Sequence, residues 1–495
     1  MPVSTRINSS MEAARSNVGE RISLLLLTLI LLIGLGLRLY ALNAGLWLDE
    51  ILTYVNYAQM PFGEIITSYD SENQHFLYSI LARASFLMFG ESNWALRLPA
   101  VLFGVGSILA LYLLGREVAN RREALLSAAL LTFSYHHVWF SQNARGYSGL
   151  LFWTILSSWL LLRALRNDRS AIWILYALST ALSIYTHLTM VFVLFGQICV
   201  YGYQLIQRRK VEWVGWWKGL ILGFGGAGLL TALLHGPVIS QMLGTIGGTE
   251  ASVVSAWKNP LWTLLEIIKG LQVGFSSAVI VAGALFLFGA GLVSYWRTYK
   301  EVDILLLVPP FVGATMVISV GHHLWPRFFF FSLGFAVLVV IRGAMVTGRL
   351  IGKMFKLTKT NSERIGTALC AGLIIVSALS VPFAYGPKQD YNGALDFVQA
   401  NLEPGDSVVA VGLAAFVYDD FYKTGWESVS TLEQLNLVRT RSNRTWLVYT
   451  FQPVLESVTP DIGESIQRDY PLIRTFEGTV GAGTVYVYRV DDHSK

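Results

Sequence analysis

Charged residues are scarce in this chain. Asp, Glu, Lys and Arg make up 14% of its 495 residues, and hydrophobic residues make up 54%. A soluble globular protein carries about 25% charged residues. Cysteine is scarcer still: Cys199 and Cys370 both lie in apolar segments, where we expect buried side chains and no disulfide. The composition excludes an ordinary soluble domain and indicates a chain surrounded mostly by lipid.

Nucleotide-binding motifs are also missing. The sequence has neither a Walker phosphate loop nor a dinucleotide-binding fingerprint, so a nucleotide-driven pump has no support. The net charge of +5 does not indicate nucleic acid as a partner. The basic residues of the chain lie in short loops between apolar segments, and membrane topology explains this distribution.

Long apolar runs recur along the chain. A helix of about 20 apolar residues crosses about 30 Å of hydrocarbon. The sequence predicts an α-helical polytopic membrane protein with about eleven spans, at 22–42, 93–115, 123–140, 147–166, 171–186, 188–207, 217–238, 275–296, 302–320, 326–346 and 365–385.

Positive charges recur in every second loop between these spans. Cytoplasmic loops of membrane proteins carry an excess of Lys and Arg. We therefore expect a multi-pass plasma-membrane protein with a cytoplasmic N-terminus and an extracytoplasmic C-terminus. The basic residues of the predicted cytoplasmic segments are Arg6, Arg15, Arg21, Arg116, Arg121, Arg122, Arg163, Arg166, Arg169, Arg208, Arg209, Lys210, Arg297, Lys300, Lys353, Lys356, Lys359 and Arg364.

The C-terminal part departs from the membrane pattern. Asp390–Leu402 reads as a helix, whereas Ser407–Leu413, Thr445–Phe451 and Gly483–Val490 read as strands. We predict two domains, a transmembrane catalytic domain at 1–386 and a small extracytoplasmic α/β domain at 387–495. The first outer loop, 43–92, is predicted to carry the site.

Two adjacent carboxylates, Asp49 and Glu50, follow the first span. Desolvating such a pair at a membrane surface is costly, so the alternative is a solvated loop without function. The functional interpretation is a catalytic pair in which one carboxylate removes the proton of an acceptor hydroxyl during attack. The sequence predicts that Asp49 and Glu50 are catalytic.

A polar run later in the same loop could bind a sugar. We predict substrate contacts from Asp70, Glu72, His75 and Tyr78. A divalent metal ion is a possible cofactor, with Glu50, Glu72 and His75 as candidate ligands, although no tight metal-ligand spacing occurs.

Two arginines lie at predicted outer ends of spans. Guanidinium groups form paired, charge-assisted hydrogen bonds to phosphate, so Arg145 and Arg327 are candidate phosphate ligands. The alternative for each is contact with lipid headgroups. Tyr147 and His187, at outer helix ends, are further candidate substrate ligands.

Four segments resemble the GT-C membrane glycosyltransferases, in particular the branch with protein O-mannosyltransferases and the bacterial lipid A aminoarabinose transferase. Leu46–Glu50 resembles the family's first-loop Asp-Glu motif, and Glu91–Pro99 the start of its second span. Gln142–Tyr147 resembles its Ala-Arg-x-Tyr motif, and Tyr185–His187 its Tyr-Thr-His segment. Many bacterial members have His-Pro-Pro-Leu-Tyr where this chain has Asn73–Tyr78.

The resemblance implies a sugar donor linked to polyprenyl phosphate, and an acceptor that is a protein, lipid or glycan. Asp49 would deprotonate the acceptor hydroxyl, which attacks the anomeric carbon with inversion. Arg145 and Arg327 would stabilise the leaving polyprenyl phosphate, and Glu50 would orient Asp49 or the acceptor. Membrane lipids are further partners.

Two other classes remain open. A polysaccharide or lipid ligase also works from an outer loop, but usually from a large loop late in the chain. A flippase-type transporter usually places ionisable residues near the membrane midplane. The acidic pair here follows the first span, which favours the glycosyltransferase interpretation.

Overall fold

The computed structural model describes residues 3–207, 216–248, 254–271 and 278–491. The chain is mostly helical up to residue 385, and a small sheet follows. The predicted basic residues 208–210, the first residues of the predicted span 275–296 and the last four residues of the chain lie outside the described residues.

Long apolar helices confirm the polytopic helical prediction. Within the described ranges, nine are long and apolar enough to cross a membrane: Val18–Leu39, Asn93–Val118, Tyr147–Asn167, Met190–Gln207, Trp216–Thr245, Val279–Thr298, Lys300–Ser319, Pro326–Met354 and Lys359–Tyr385. Two shorter apolar helices, Phe76–Phe89 and Ser170–Thr186, pack among them. Ser170–Thr186 corresponds to the predicted span 171–186.

The predicted span 123–140 is not one continuous helix. The structure has Arg121–Thr132 and Tyr135–Ser141, separated by a break at which the Ser134 side chain accepts a hydrogen bond from the His137 amide. The buried Arg38 guanidinium lies at the break, 3.5 Å from the carbonyl oxygen of Thr132. The apolar composition of 123–140 favours one continuous helix, but the chain breaks here because Ser134 and Arg38 provide partners for backbone groups that the interruption leaves unpaired.

The helical part also contains short segments, and several of the long apolar stretches named above consist of consecutive helical segments. The first loop contains Leu48–Thr53, a π-helical turn at Tyr54–Ala58, Phe62–Ile65 and Phe76–Phe89. The first helix as a whole covers Val3–Leu39. The remaining helical segments are Trp216–Lys218, Gly219–Gly225, Gly226–His235, Gly236–Val238, Ile239–Gly248, Ser255–Lys258, Pro260–Leu271, Ala278–Thr298, Pro326–Ser332, Leu333–Met354, Lys359–Ser380 and Val381–Tyr385.

The C-terminal part contains a five-stranded sheet of order β2-β1-β3-β5-β4. Its strands are β1 (Asp406–Val411), β2 (Glu427–Val429), β3 (Arg444–Thr450), β4 (Leu472–Phe476) and β5 (Val485–Asp491). β1 pairs in parallel with β2 and β3, whereas β5 pairs antiparallel with β3 and β4. The helical segments around it are Tyr391–Asn401, Leu413–Phe416, Val417–Phe421, Leu432–Arg441, Gln452–Val458 and Pro460–Asp469.

The predicted small α/β unit is therefore present, with three of its strands where the sequence indicates them. The pattern misses β2, which is only three residues long, and β4, in which four of five residues are exposed. Neither strand shows the alternating burial that a sequence pattern detects. The boundary at 386/387 stays a prediction.

The sheet packs directly on the first loop. Leu48 and Ile51 share one buried hydrophobic cluster with Tyr391, Val417 and Tyr418. The T-shaped contact between the rings of Tyr54 and Phe421, with centroids 5.5 Å apart, extends this interface. The sheet domain therefore rests, through its helical segments, against the short helix that carries Asp49 and Glu50.

Candidate active site

Asp49 and Glu50 have opposite environments although they are adjacent in the chain. They lie in the first turn of Leu48–Thr53. The Asp49 side chain is 14% exposed, whereas that of Glu50 is completely buried. Only Asp49 is therefore accessible to a substrate.

Glu50 is bound on all sides by protein groups. Arg97 pairs with both of its carboxylate oxygens, at 2.7 Å and 2.6 Å. The amide of Ala144 donates to Oε1 at 2.7 Å. Burial works to raise the pKa of Glu50, but the charges of Arg97 and Lys388 and these hydrogen bonds outweigh it, so the pKa is lowered. The geometry makes Glu50 the ionised anchor that joins the first loop to the Ala144 turn.

Asp49 faces two arginines from distant parts of the chain. Nη1 of Arg327 lies 3.1 Å from Oδ2 of Asp49, and Nη2 of Arg145 lies 3.9 Å from the same atom. The structure therefore brings together the carboxylate and both candidate phosphate ligands predicted from the sequence.

The Arg145 guanidinium is held by the polar run of the first loop. Its Nη1 donates to the backbone carbonyl of Asn73 at 3.0 Å and also to the Asn73 side chain. The next residue, Gly146, permits the close approach: a Cβ there would lie 2.6 Å from the Thr186 carbonyl oxygen and 2.7 Å from Nδ1 of His75. A larger residue at 146 would push the turn away from both groups.

Three rings line the site beside the arginines. The His75 and His187 centroids are 4.6 Å apart, and Tyr147 lies 5.8 Å from His75 and 4.8 Å from His187. Burial, the charge of Arg145 and the neighbouring His187 lower the pKa of His75 well below its ordinary value. Burial and the charges of Arg145 and Arg327 lower the pKa of His187 to about 3. Both imidazoles are neutral near pH 7.

Their hydrogen bonds assign opposite tautomers to the two imidazoles. Nδ1 of His75 lies 3.1 Å from the carbonyl oxygen of Thr186, so it carries the proton and leaves Nε2 as an acceptor. Nδ1 of His187 accepts from the Thr189 amide at 3.3 Å, so Nε2 carries the proton. Neither Nε2 atom has a partner among the described residues.

Two further donors at the site are unused. Nε of Arg145 and Nε of Arg327 are buried, and neither makes a hydrogen bond within the part of the chain that the structure describes. Buried donors are nearly always paired, so unpaired ones around one carboxylate indicate a ligand site. The donor charge suits an anion such as phosphate.

The other predicted ligands are placed less centrally. Asp70 and Glu72 are exposed, and Oε1 of Glu72 lies 3.7 Å from Nδ1 of His322. Tyr78 is fully buried and its hydroxyl donates to the carbonyl oxygen of Leu96 at 2.7 Å. The Tyr78 hydroxyl is therefore already hydrogen-bonded within the protein. Substrate contact by Asp70, Glu72 and Tyr78 stays a prediction.

The three candidate metal ligands do not form a common ligand set. Glu50 is occupied by Arg97, and Glu72 lies beside His322. No group of three His, Cys, Asp or Glu side chains with metal-binding geometry occurs within the four described ranges. Glu50, Glu72 and His75 therefore do not fit a protein-held ion with three ligands.

Four residues of the site were not singled out for a role from the sequence. Arg97 anchors Glu50 and Asn73 holds Arg145. Lys388 and Gln389 approach from the start of the sheet domain. Only Arg97 had a detectable signal, because a charge within an otherwise apolar span is costly and usually paired.

Lys388 makes the stability of this region depend on pH. Burial lowers the pKa of Lys388 to about 7, although the charge of Glu50 raises it, and Arg97 lowers it further. An unfolded chain keeps a lysine pKa of about 10.4 and therefore binds more protons between about pH 7 and 10.4, so stability rises with pH there. We expect the apparent melting temperature to increase across this range more in wild type than in Lys388→Met. If scanning fluorimetry gave wild type and Lys388→Met the same slope of melting temperature against pH, this prediction would be wrong.

Residues 74–225 match the family described as dolichyl-phosphate-mannose-protein mannosyltransferase. Over 93 residues the chain is 32% identical to the Bacillus subtilis protein YkcB, which is named as a mannosyltransferase. That stretch spans 19% of this chain and only 13% of the relative.

Solved structures of similar fold cover nearly the whole chain. ArnT from Cupriavidus metallidurans bound to undecaprenyl phosphate has a TM-score of 0.51 at 11% identity, over 93% of this chain and 97% of that one. The Archaeoglobus fulgidus oligosaccharyltransferase AglB, in complex with an inhibitory peptide and a dolichol-phosphate, has a TM-score of 0.56 at 11% identity, over 96% and 75%. At such identity these likenesses show the fold alone. Residues 74–225 are therefore similar to the dolichyl-phosphate-mannose-protein mannosyltransferase family, and the chain has the fold of the GT-C glycosyltransferases ArnT and AglB.

Proposed function

We propose that the protein transfers a sugar from a polyprenyl-phosphate donor to an acceptor hydroxyl at the extracytoplasmic face of the plasma membrane. The observation that carries the proposal is the group of unpaired buried nitrogens beside an accessible carboxylate. ArnT and AglB bind polyprenyl phosphates, which supports a lipid-linked donor. The acceptor is a protein, lipid or glycan.

Asp49 acts as the base in this proposal. It takes the proton of the acceptor hydroxyl while the acceptor oxygen bonds to the anomeric carbon from the face opposite the phosphate. The bond from the anomeric carbon to the phosphate oxygen breaks, and its electron pair leaves with polyprenyl phosphate. Because phosphate is a good leaving group, no strong general acid is needed, and the sugar configuration is inverted.

The arginines change partners as the donor binds. In the structure, Arg145 and Arg327 face the Asp49 carboxylate. A donor phosphate would compete for their guanidinium groups and release an Asp49 oxygen for the acceptor hydroxyl. The same groups then stabilise the charge that develops on the leaving phosphate.

The two imidazoles take complementary roles. Nε2–H of His187 donates to a phosphate or sugar oxygen, and the lone pair on Nε2 of His75 accepts from a sugar hydroxyl. These roles follow from the tautomers that Thr186 and Thr189 impose. Since both residues are neutral near pH 7, they bind through hydrogen bonds and do not act as proton carriers.

Replacing Arg327 with methionine tests the donor site. Methionine keeps much of the side-chain volume and removes the charge. A hydrogen bond to a charged group contributes about 1.5–3 kcal/mol, so we expect kcat/KM for the donor to fall by roughly 10- to 10²-fold. The assay measures release of polyprenyl phosphate from purified polyprenyl-phosphate sugars.

Arg468 provides the matched control. It is exposed on the helix Pro460–Asp469 of the sheet domain, and Arg468→Met should leave kcat/KM unchanged. If wild-type protein consumes none of the polyprenyl-phosphate donors, the proposed function is wrong. Lipid or solute movement in proteoliposomes would then test the transporter alternative, and polymer transfer the ligase alternative.

A further inference from the structure

Two buried side chains connect the sheet domain to the site. Lys388 and Gln389 lie between the turn Val381–Tyr385 and the helix Tyr391–Asn401. Their exposures are only 7% and 3%. A buried polar side chain needs hydrogen-bond partners, and each of these two side chains has one partner in a segment that carries the site.

The side-chain amide of Gln389 forms hydrogen bonds both to the first loop and to the sheet domain. Its Oε1 accepts from the Leu48 amide at 3.0 Å. Its Nε2 donates to Oγ1 of Thr450 at 3.1 Å and to the Gly483 carbonyl oxygen at 3.2 Å. Leu48 begins the helix that carries Asp49, and Thr450 ends β3. One side chain therefore ties the base-bearing helix to the sheet.

The Leu48 contact has a specific structural reason. The first amides of a helix have no partner within the helix. Leu48 is buried, so water does not supply a partner readily, and Gln389 provides the acceptor. Removing that acceptor leaves a buried amide unsatisfied next to Asp49, which favours movement of the helix start.

Lys388 makes a parallel connection to the Arg145 turn. Its Nζ donates to the carbonyl oxygen of Gln142 at 2.8 Å and lies 5.3 Å from the centre of the Trp139 ring. The backbone carbonyl of Lys388 accepts from the amide of Val480 in the sheet domain at 3.1 Å. The helix that carries Asp49 and the turn that carries Arg145 are thus held by consecutive residues.

The position of the sheet supports the same role. In open α/β sheets, ligands usually bind beyond the carboxyl ends of parallel strands where the strand order reverses. Here, residues that follow β1 and β3, including Ala414, Val417 and Phe451, share a buried cluster with Leu48 and Ile51. The first loop takes the place that a ligand has in such sheets.

We propose that Lys388 and Gln389 are positioning residues, through which the sheet domain sets the place of Asp49 and Arg145 relative to the donor. The catalytic part of this inference rests on the proposed function, whereas the structural coupling does not. A displacement of about 1 Å at a reacting group can lower a rate on the order of 10²-fold.

Gln389→Met provides the test. It keeps side-chain length and removes both the acceptor and the donors. We expect kcat to fall by about tenfold or more while KM for the donor stays near its wild-type value. Gln389→Glu, which keeps an oxygen for the Leu48 amide, should recover part of the rate. Gln399→Met is the control, because Gln399 is exposed on the helix Tyr391–Asn401.

Amide hydrogen exchange of residues 46–58 gives a readout that needs no substrate. In Gln389→Met this segment should exchange at least several-fold faster than in wild type, with unchanged exchange in Gln399→Met. Unchanged exchange and unchanged kcat in Gln389→Met would overturn the inference. Faster exchange in a protein that consumes no donor would retain the coupling and reject the proposed function, so the two failures are distinguishable.

Discussion

Replacing Asp49 with asparagine is expected to lower kcat by about 10²- to 10⁴-fold, the usual contribution of a positioned general base. Asparagine keeps the size and an oxygen near Arg327 but takes no proton from the acceptor hydroxyl. Asparagine fills the same space, and Arg145 keeps its hydrogen bond to Asn73, so the apparent melting temperature should stay close to that of wild type. Turnover of a radiolabelled polyprenyl-phosphate sugar measures the effect.

Glu64→Gln is the matched control for Asp49→Asn. Glu64 is an exposed carboxylate of the same loop, on the helix Phe62–Ile65, and the substitution removes the same charge without touching the arginine pair. We expect at most a small change in kcat. Full turnover by Asp49→Asn would reject the base assignment, whereas equal losses in both variants would indicate a general effect of loop charge.

Disrupting the buried pair of Glu50 and Arg97 is expected to have the largest effect on stability. Arg97→Met leaves the Glu50 carboxylate buried without its main partner. Removing one member of a buried ion pair costs about 3–5 kcal/mol. Arg97 also donates to the carbonyl oxygens of Leu42, Ala44 and Gly45, which would lose their partner. We expect a large fall in apparent melting temperature and in the yield of folded protein.

A double-mutant cycle separates the charge from the backbone contacts. Glu50→Gln neutralises the carboxylate but keeps an oxygen for the Ala144 amide. The double variant Glu50→Gln/Arg97→Met should be clearly less destabilised than the sum of the single variants, because it removes the uncompensated charge. Arg122→Met, which breaks an ion pair between half-exposed side chains, should have little effect. If Arg97→Met had the same apparent melting temperature as wild type, the anchor role of Glu50 would be wrong.

Parts of the site were predictable because their signals are local. Asp49, Arg145 and Arg327 are charges next to apolar helices, where ionisable residues are costly and therefore informative. The structure brings these three together, although Arg327 is 278 residues from Asp49 in the chain. The sequence pattern by itself does not separate the roles of Asp49 and Glu50, because the two residues are adjacent; only the family resemblance implies that Asp49 is the base and that Glu50 orients it or the acceptor.

The strands of the sheet domain were also predictable only in part. Its long central strands have buried runs that the sequence reveals, whereas β2 and β4 are recognisable only through pairing with their neighbours. Lys388 and Gln389 read as ordinary polar linker residues. Their function depends on Leu48 and Gln142, which approach them from distant segments of the chain.

The sequence by itself determined the helical membrane architecture and indicated the loops in which we propose that the chemistry lies. Hydrophobic length sets a span within about 20 consecutive residues, and the charges that interrupt the apolar pattern are visible there. Only the tertiary structure decided that Asp49 is partly exposed and Glu50 fully buried, that two arginines face one carboxylate, and that the sheet domain packs on the loop. The physical reason is that burial and pairing of a charged group depend on partners far away in the chain, which only the folded chain brings into contact.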